Sequence, residues 1–230
     1  MSGERVIQYF ELDDLPNAPD FFERHSGIDI YGDVNPKYVE FLKEGDELIR
    51  ACCKVGLVYQ RLGIAQKGED FITLETGHTF KGTMLPRVLA NADEIVMFVI
   101  AVQGFENFKA DDIMAEYFGD TWATAYVEAA QARFGDIVLE KLKPEGKKRT
   151  HMWCPGQIQF DLVNQRAIFD ILKPEDIGCT LSQSLMMHPV KSGSGLVGIV
   201  DKDCVETLKP CDFCTFGKTC PASKRGCASL

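Results

Sequence analysis

Lys148–Val200 reads KRTHMWCPGQIQFDLVNQRAIFDILKPEDIGCTLSQSLMMHPVKSGSGLVGIV, and this stretch decides the fold. It contains a loop closed by Cys154-Pro155-Gly156, an amphipathic helix, a break at Ile177-Gly178 and a Gly/Ser-punctuated apolar run. Pro155, Gly156, Gly178, Gly193, Gly195 and Gly198 set turns and let another group approach the main chain, a composition suited to a binding surface. Phe160-Asp161 opens the helix, Leu162, Val163, Ile168, Phe169, Ile171 and Leu172 form its buried side, and Lys173-Pro174 stops it. Cys179–Leu185 and Leu196–Val200 read as strands. Between them Met186-Met187-His188-Pro189-Val190-Lys191-Ser192-Gly193 is exposed by composition.

Upstream, residues 4–31 mix short apolar groups with Asp, Asn and Pro, which suggests a helical turn and then an irregular arm. A single helix is expected over 36–55, with Asn35 as N-cap, Pro36 at its first position, and Gly45 as the residue able to split it. Cys52 and Cys53 belong to its apolar pattern and read as core, because free cysteine packs as a small hydrophobe. Leu57–Leu62 and Asp70–Thr76 read as strands, and Met84–Ala92 as a short helix. Glu94–Val102 is a continuous β-branched run, the mark of a central strand buried on both faces. Asp111 opens the longest helix, to about Leu142, with apolar residues spaced at three and four.

The 230 residues are ample for a hydrophobic core. With 34 acidic and 25 basic residues the net charge is -9, which disfavours nucleic acid as a partner. No apolar run is long enough for a membrane span and the first residues carry no leader pattern, so a cytoplasmic protein is expected. In that setting nine cysteines favour metal ligands, thiols or core positions over disulfides. Four of them, Cys211, Cys214, Cys220 and Cys227, have the spacing C-x2-C-x5-C-x6-C. Two thiolates two residues apart form one chelating knuckle and two more complete a tetrahedral set; zinc and a [4Fe–4S] cluster both suit four thiolates. A segment this short buries no core of its own, so a metal is what would order it.

Ile177-Gly178-Cys179-Thr180-Leu181-Ser182-Gln183-Ser184-Leu185-Met186-Met187-His188-Pro189-Val190-Lys191-Ser192-Gly193-Ser194-Gly195 resembles the I-G-x-x-L-T-E-S-x-x-M-x-P-x-x-S-V-S-G signature of the activation domain of cobalamin-dependent methionine synthase and its short stand-alone relatives. Ala101-Val102-Gln103-Gly104 after the hydrophobic strand, Glu128-Ala129-Ala130 in the long helix, and Pro155-Gly156 before a helix ending Phe169-Asp170-Ile171-Leu172 follow in the same order. The resemblance covers about residues 4–200. It implies an α/β (α+β) fold: a twisted, largely antiparallel sheet with flanking helices, over residues 1–205 with an irregular N-terminal helical arm at 1–35. Residues 206–230 then form a cysteine-rich metal-binding tail.

The resemblance also implies a partner, a corrinoid-binding protein or corrinoid methyltransferase whose cobalamin this domain covers, and reactivation of inert Co(II) by one-electron reduction and methylation from S-adenosylmethionine. Met152, Cys154, Pro155, Gly156 and Gln157, with Met186, His188, Lys191, Ser192, Gly193 and Ser194, would form the cofactor-facing surface. One loop departs from the family pattern. Where the family has Arg-x-x-x-Gly-Tyr, this chain has Met152 at the arginine and Gln157 at the tyrosine, and Gln183 replaces the glutamate of the T-E-S triplet. A carboxylate needs a charge-assisted donor, which Met152 does not supply; Arg149, three positions earlier, is the nearest cation.

The reading that results is an accessory protein that docks on a corrinoid protein and assists reductive reactivation, with the four cysteines as electron relay and a possible electron-donor protein upstream. A [4Fe–4S] cluster is favoured over zinc because the reaction needs an electron. Two alternatives stay open: a non-catalytic corrinoid-binding or carrier module with structural zinc, and an S-adenosylmethionine-dependent reactivation domain of a split methionine synthase.

Overall fold

A computed structural model describes residues 3–32, 34–205, 208–216 and 218–220. The chain runs β1 (Arg5–Phe10), α1 (Ala18–Ser26), α2 (Pro36–Cys52), β2 (Lys54–Lys67), β3 (Phe71–Leu74), β4 (Thr79–Lys81), α3 (Met84–Val88), β5 (Glu94–Gln103), α4 (Ile113–Leu142), β6 (Lys147–Arg149), α5 (Gln165–Leu172), β7 (Thr180–Leu181), β8 (Met187–His188), β9 (Ser192–Asp201) and α6 (Pro210–Phe213), joined by short 3-10 turns. The main sheet has the order β4-β3-β2-β5-β9-β6, with every pair antiparallel. Long β2 has β5 along one edge and divides the other between β1, at Val55–Gln60, and β3, at Ile64–Lys67. β7 and β8 form a separate hairpin.

The apolar run at 94–103 sits between β2 and β9 as its composition requires. Side chains alternate across a strand. Val96, Phe98, Ile100 and Val102 therefore join the core under α1, α2 and α4, while Ile95, Met97, Val99 and Ala101 join the core under α3, α5 and the 153–160 loop. On the α4 side Phe134 packs on Phe98 with centroids 4.6 Å apart, Trp122 stacks on Phe22 at 4.2 Å, and the Trp122 indole N–H donates to the Leu42 carbonyl at 3.1 Å. Full burial of each such ring contributes on the order of 2–3 kcal/mol.

Several expectations need correction. Residues 4–31 are more ordered than a helical turn and an irregular arm: the chain opens on a strand, Arg5–Phe10 paired with β2, and its helical part is a full helix, Ala18–Ser26, ended by Gly27 in the left-handed conformation. The helix expected over 36–55 stops at Cys52, because Cys53 is an extended C-cap whose N–H bonds the Ile49 carbonyl, and Lys54 already belongs to β2. Gly45 does not split it. A Cβ there would lie 2.8 Å from the Gly119 nitrogen and 3.1 Å from the Ala115 carbonyl oxygen, so this glycine lets α2 and α4 cross closely. Asp112 rather than Asp111 caps α4, its carboxylate accepting from the Met114 N–H at 2.7 Å. The strand expected over 179–185 is only Thr180–Leu181, and the last strand starts at Ser192, four residues before the expected Leu196.

Candidate functional site

The edge beside β9 brings the start of the 152–157 loop against Gly195 and Leu196. β6 pairs Arg149 with Ile199, and the next bridge joins Trp153 to Leu196 through two 2.9 Å hydrogen bonds. Four residues on one side thus span three on the other, a bulge that redirects the side chains that follow. Met152 turns to the α4-side core and Trp153 enters the opposite one. The chain then turns sharply: the Gln157 N–H bonds the Cys154 carbonyl at 3.1 Å, and the Gln157 side-chain oxygen accepts from the Cys154 N–H at 3.0 Å. Gly156 follows Pro155 with φ of 90°, which glycine adopts freely. Gln157 is therefore committed to closing its own loop.

Ser192, Gly193 and Ser194, expected in an exposed ligand-facing segment, lie instead in β9, with Gly193 and Ser194 buried. A Cβ at Gly193 would fall 2.4 Å from the Gln131 amide nitrogen, and one at Gly195 would fall 2.6 Å from the Trp153 carbonyl and 3.1 Å from the Cys154 sulfur. The close approach that these glycines permit is internal, by α4 and by the 153–154 loop. Burial pushes the Cys154 thiol up to about 12, so it is protonated at neutral pH and is neither nucleophile nor ready metal ligand. Ser194 accepts from the Gln165 amide at 3.3 Å. Gln165 Oε1 and Trp153 Nε1 are buried with no hydrogen-bond partner among the described residues.

Lys191 is likewise turned inward. Its ammonium donates to Thr124 Oγ1 at 2.9 Å, pairs with Asp120 at 2.8 Å and sits 5.3 Å from the centre of the Phe105 ring, which ties the start of β9 to α4. Met186 and His188, on the β7–β8 hairpin, do face outward, with Met186 55% exposed beside Val190 at 57%. Of the predicted set, Gly156, Met186 and His188 are exposed and the others are partly or fully buried. The Arg149 guanidinium donates to the carbonyls of Gly135, at 3.1 Å, and Thr150, at 3.2 Å. The loop itself carries no cation, so its donor set does not fit the carboxylate of S-adenosylmethionine.

Sequence reading missed the anchors. Gln103 donates its side-chain amide to the Ile177 carbonyl, fixing the start of the 177–195 segment to the end of β5, and Gly104 turns the chain with φ of 87°. A lone glutamine closing an apolar run was the available signal. Phe213, within α6, packs on Trp153 with centroids 6.4 Å apart, and the Arg87 guanidinium lies 5.9 Å from the same ring. Leu208, Phe213 and Cys204 rest on the α5-side core, and Asn91 donates to the Cys204 sulfur at 3.4 Å. A cavity of about 110 Å³ lined by Arg87, Asn91, Thr150, Cys204, Val205 and Leu208 lies beneath this segment.

Cys211 is in α6 and Cys214 directly follows it, while Cys220 is held by its N–H to the Phe216 carbonyl at 2.8 Å. Cys227 lies outside the described residues. Among the described residues no three His, Cys, Asp or Glu side chains gather as a metal-binding group. No described helix is long and apolar enough to cross a membrane.

No family model matches the sequence, and no curated protein matches it. Among solved structures the chain is similar to the crystal structure of the MetH reactivation domain bound to AdoHcy, with a TM-score of 0.63 at 16% identity, covering 90% of this chain and 81% of that one. At that identity the likeness shows the fold: a mixed α/β domain with a mostly antiparallel sheet and flanking helices, as the 177–195 resemblance implied.

Proposed function

We propose that this chain is an activation-domain-like protein that docks on a corrinoid-binding protein or corrinoid methyltransferase and assists reductive reactivation of its cobalamin. The 177–195 signature and the fold shared with the MetH reactivation domain support the corrinoid partner. The observation that carries the reading is the Phe213–Trp153 contact, which holds Cys211 and Cys214 beside the 152–157 loop. Met186, His188 and Val190 supply the outward rim that a partner would cover.

Cys211, Cys214, Cys220 and Cys227 are the ligands of the proposed metal, and an iron–sulfur cluster in that place supplies single electrons. The chain's own residues do the positioning: Phe213 and Arg87 dock the first knuckle, Gln103 fixes the hairpin segment, and Lys191 locks β9 to α4. S-adenosylmethionine is not assigned to the 152–157 loop. Anaerobic purification with iron, sulfide and zinc analysis tests the reading. Visible absorbance that bleaches on reduction, with iron and sulfide in about fourfold excess over protein, supports it. Colourless protein carrying one zinc ends the electron relay and leaves a structural-zinc module.

A further inference from the structure

The junction of α2 and β2 holds two thiols that the proposed function does not use. Cys52 ends α2, Cys53 caps it, and their sulfur atoms lie 3.5 Å apart. Cys53 is buried, whereas Cys52 is partly accessible. The surrounding backbone is tightly fitted: the Cys53 N–H bonds the Ile49 carbonyl at 2.8 Å, and a Cβ on Gly104 would fall 2.0 Å from the Cys52 carbonyl oxygen. Next to Gly104, Gln103 pairs with Lys54 in the sheet and donates to the Ile177 carbonyl. The thiol pair thus adjoins the contact that anchors the 177–195 segment.

We propose that Cys52 and Cys53 form a reactive vicinal dithiol that low-molecular-weight disulfides of the glutathione class close to an internal disulfide. The accessible Cys52, as thiolate, attacks one sulfur of the oxidant and expels one thiolate, leaving a mixed disulfide. Cys53 then gives up its proton and attacks the Cys52 sulfur, expelling the second thiolate. The two electrons end on the oxidant, now two thiols, and the protein loses two hydrogens. Closure shortens the sulfur separation from 3.5 Å to a bond of about 2.0 Å.

The order of attack follows from the surroundings. Burial and the neighbouring Cys52 push the Cys53 thiol up, so Cys53 is the resolving rather than the attacking group. Cys154 and Cys179 are poor competitors, since burial raises both and the Cys179 thiol donates to the Ser192 hydroxyl. The ring closed by adjacent residues is strained, which makes such a disulfide easily reduced again.

The test uses the full chain, purified anaerobically and titrated with glutathione disulfide, then acid-quenched, denatured, alkylated, digested and mapped by mass spectrometry. The expected result is a peptide holding Cys52 and Cys53 that has lost two hydrogens, takes no alkyl label, and regains two labels after dithiothreitol. Cys52→Ser, at a half-buried position, should keep the unmutated circular dichroism spectrum and leave Cys53 fully alkylated at every oxidant ratio. Two labels in the unmutated chain throughout, a glutathione adduct on Cys52 that never closes, or Cys52 joined to any cysteine other than Cys53 would each overturn the proposal.

Discussion

Phe213 of the cysteine-rich segment packs on Trp153 with ring centroids 6.4 Å apart, while the Arg87 guanidinium lies 5.9 Å from the Phe213 ring. One aromatic side chain thereby joins the segment that carries Cys211 and Cys214 to the loop at the sheet edge. Phe213→Ala should undock the segment. A contact of this kind is worth about 0.5–1.5 kcal/mol, so the domain's melting point should move little, whereas limited proteolysis after residue 205 should speed up several-fold.

Gly45→Ala tests the crossing of α2 and α4. The added methyl would meet the Gly119 nitrogen at 2.8 Å, and backbone on both helices cannot yield cheaply. A loss of about 1–3 kcal/mol in denaturant unfolding is expected despite the better helix propensity of alanine.

Lys191→Met removes the ammonium that joins Asp120 and Thr124. Its side chain is 15% exposed, so the loss should be about 1–2 kcal/mol, with faster amide exchange over residues 186–192. If Lys191 faced the partner instead, stability would be unchanged and only cobalamin-dependent readouts would move.

Acid sensitivity should centre on Arg61. This buried guanidinium pairs with Glu94 at 2.5 Å and Glu145 at 2.7 Å, and its hydrogen bonds hold both carboxyls below the usual range. Folded values lower than unfolded ones mean stability that is complete above about pH 5 and lost as pH falls through the depressed folded values. Chemical denaturation from about pH 6 to about pH 3 should show that loss. Arg61→Gln should cost about 1–3 kcal/mol at neutral pH and flatten the acid limb.

The parts legible in the sequence were those whose own side chains carry the pattern. β5 announces itself by eight unbroken apolar positions, Ile95–Val102, and α4 by apolar residues at three and four. β1 was hidden because Val6-Ile7 and Tyr9-Phe10 form short pairs without clean alternation, and pairing with β2 supplies what propensity does not. The start of β9 was hidden for the opposite reason. Ser192-Gly193-Ser194-Gly195 lacks the bulk that signals a strand because Gln131 and the Trp153 carbonyl occupy that space. The site divides in the same way: the spacing of the cysteines was readable along the chain, but the docking of Phe213 on Trp153, the inward turn of Lys191 and the loop-closing role of Gln157 arise only from tertiary contacts.

The proposed electron relay is tested most directly by mixing chemically reduced protein, freed of excess reductant, with cob(II)alamin under strict anaerobiosis and following the corrin spectrum. The account predicts loss of the cob(II)alamin bands together with reappearance of the oxidised protein's visible absorbance, and loss of both changes in Cys214→Ser. An unchanged cob(II)alamin spectrum in the presence of fully reduced, metal-loaded protein would contradict it.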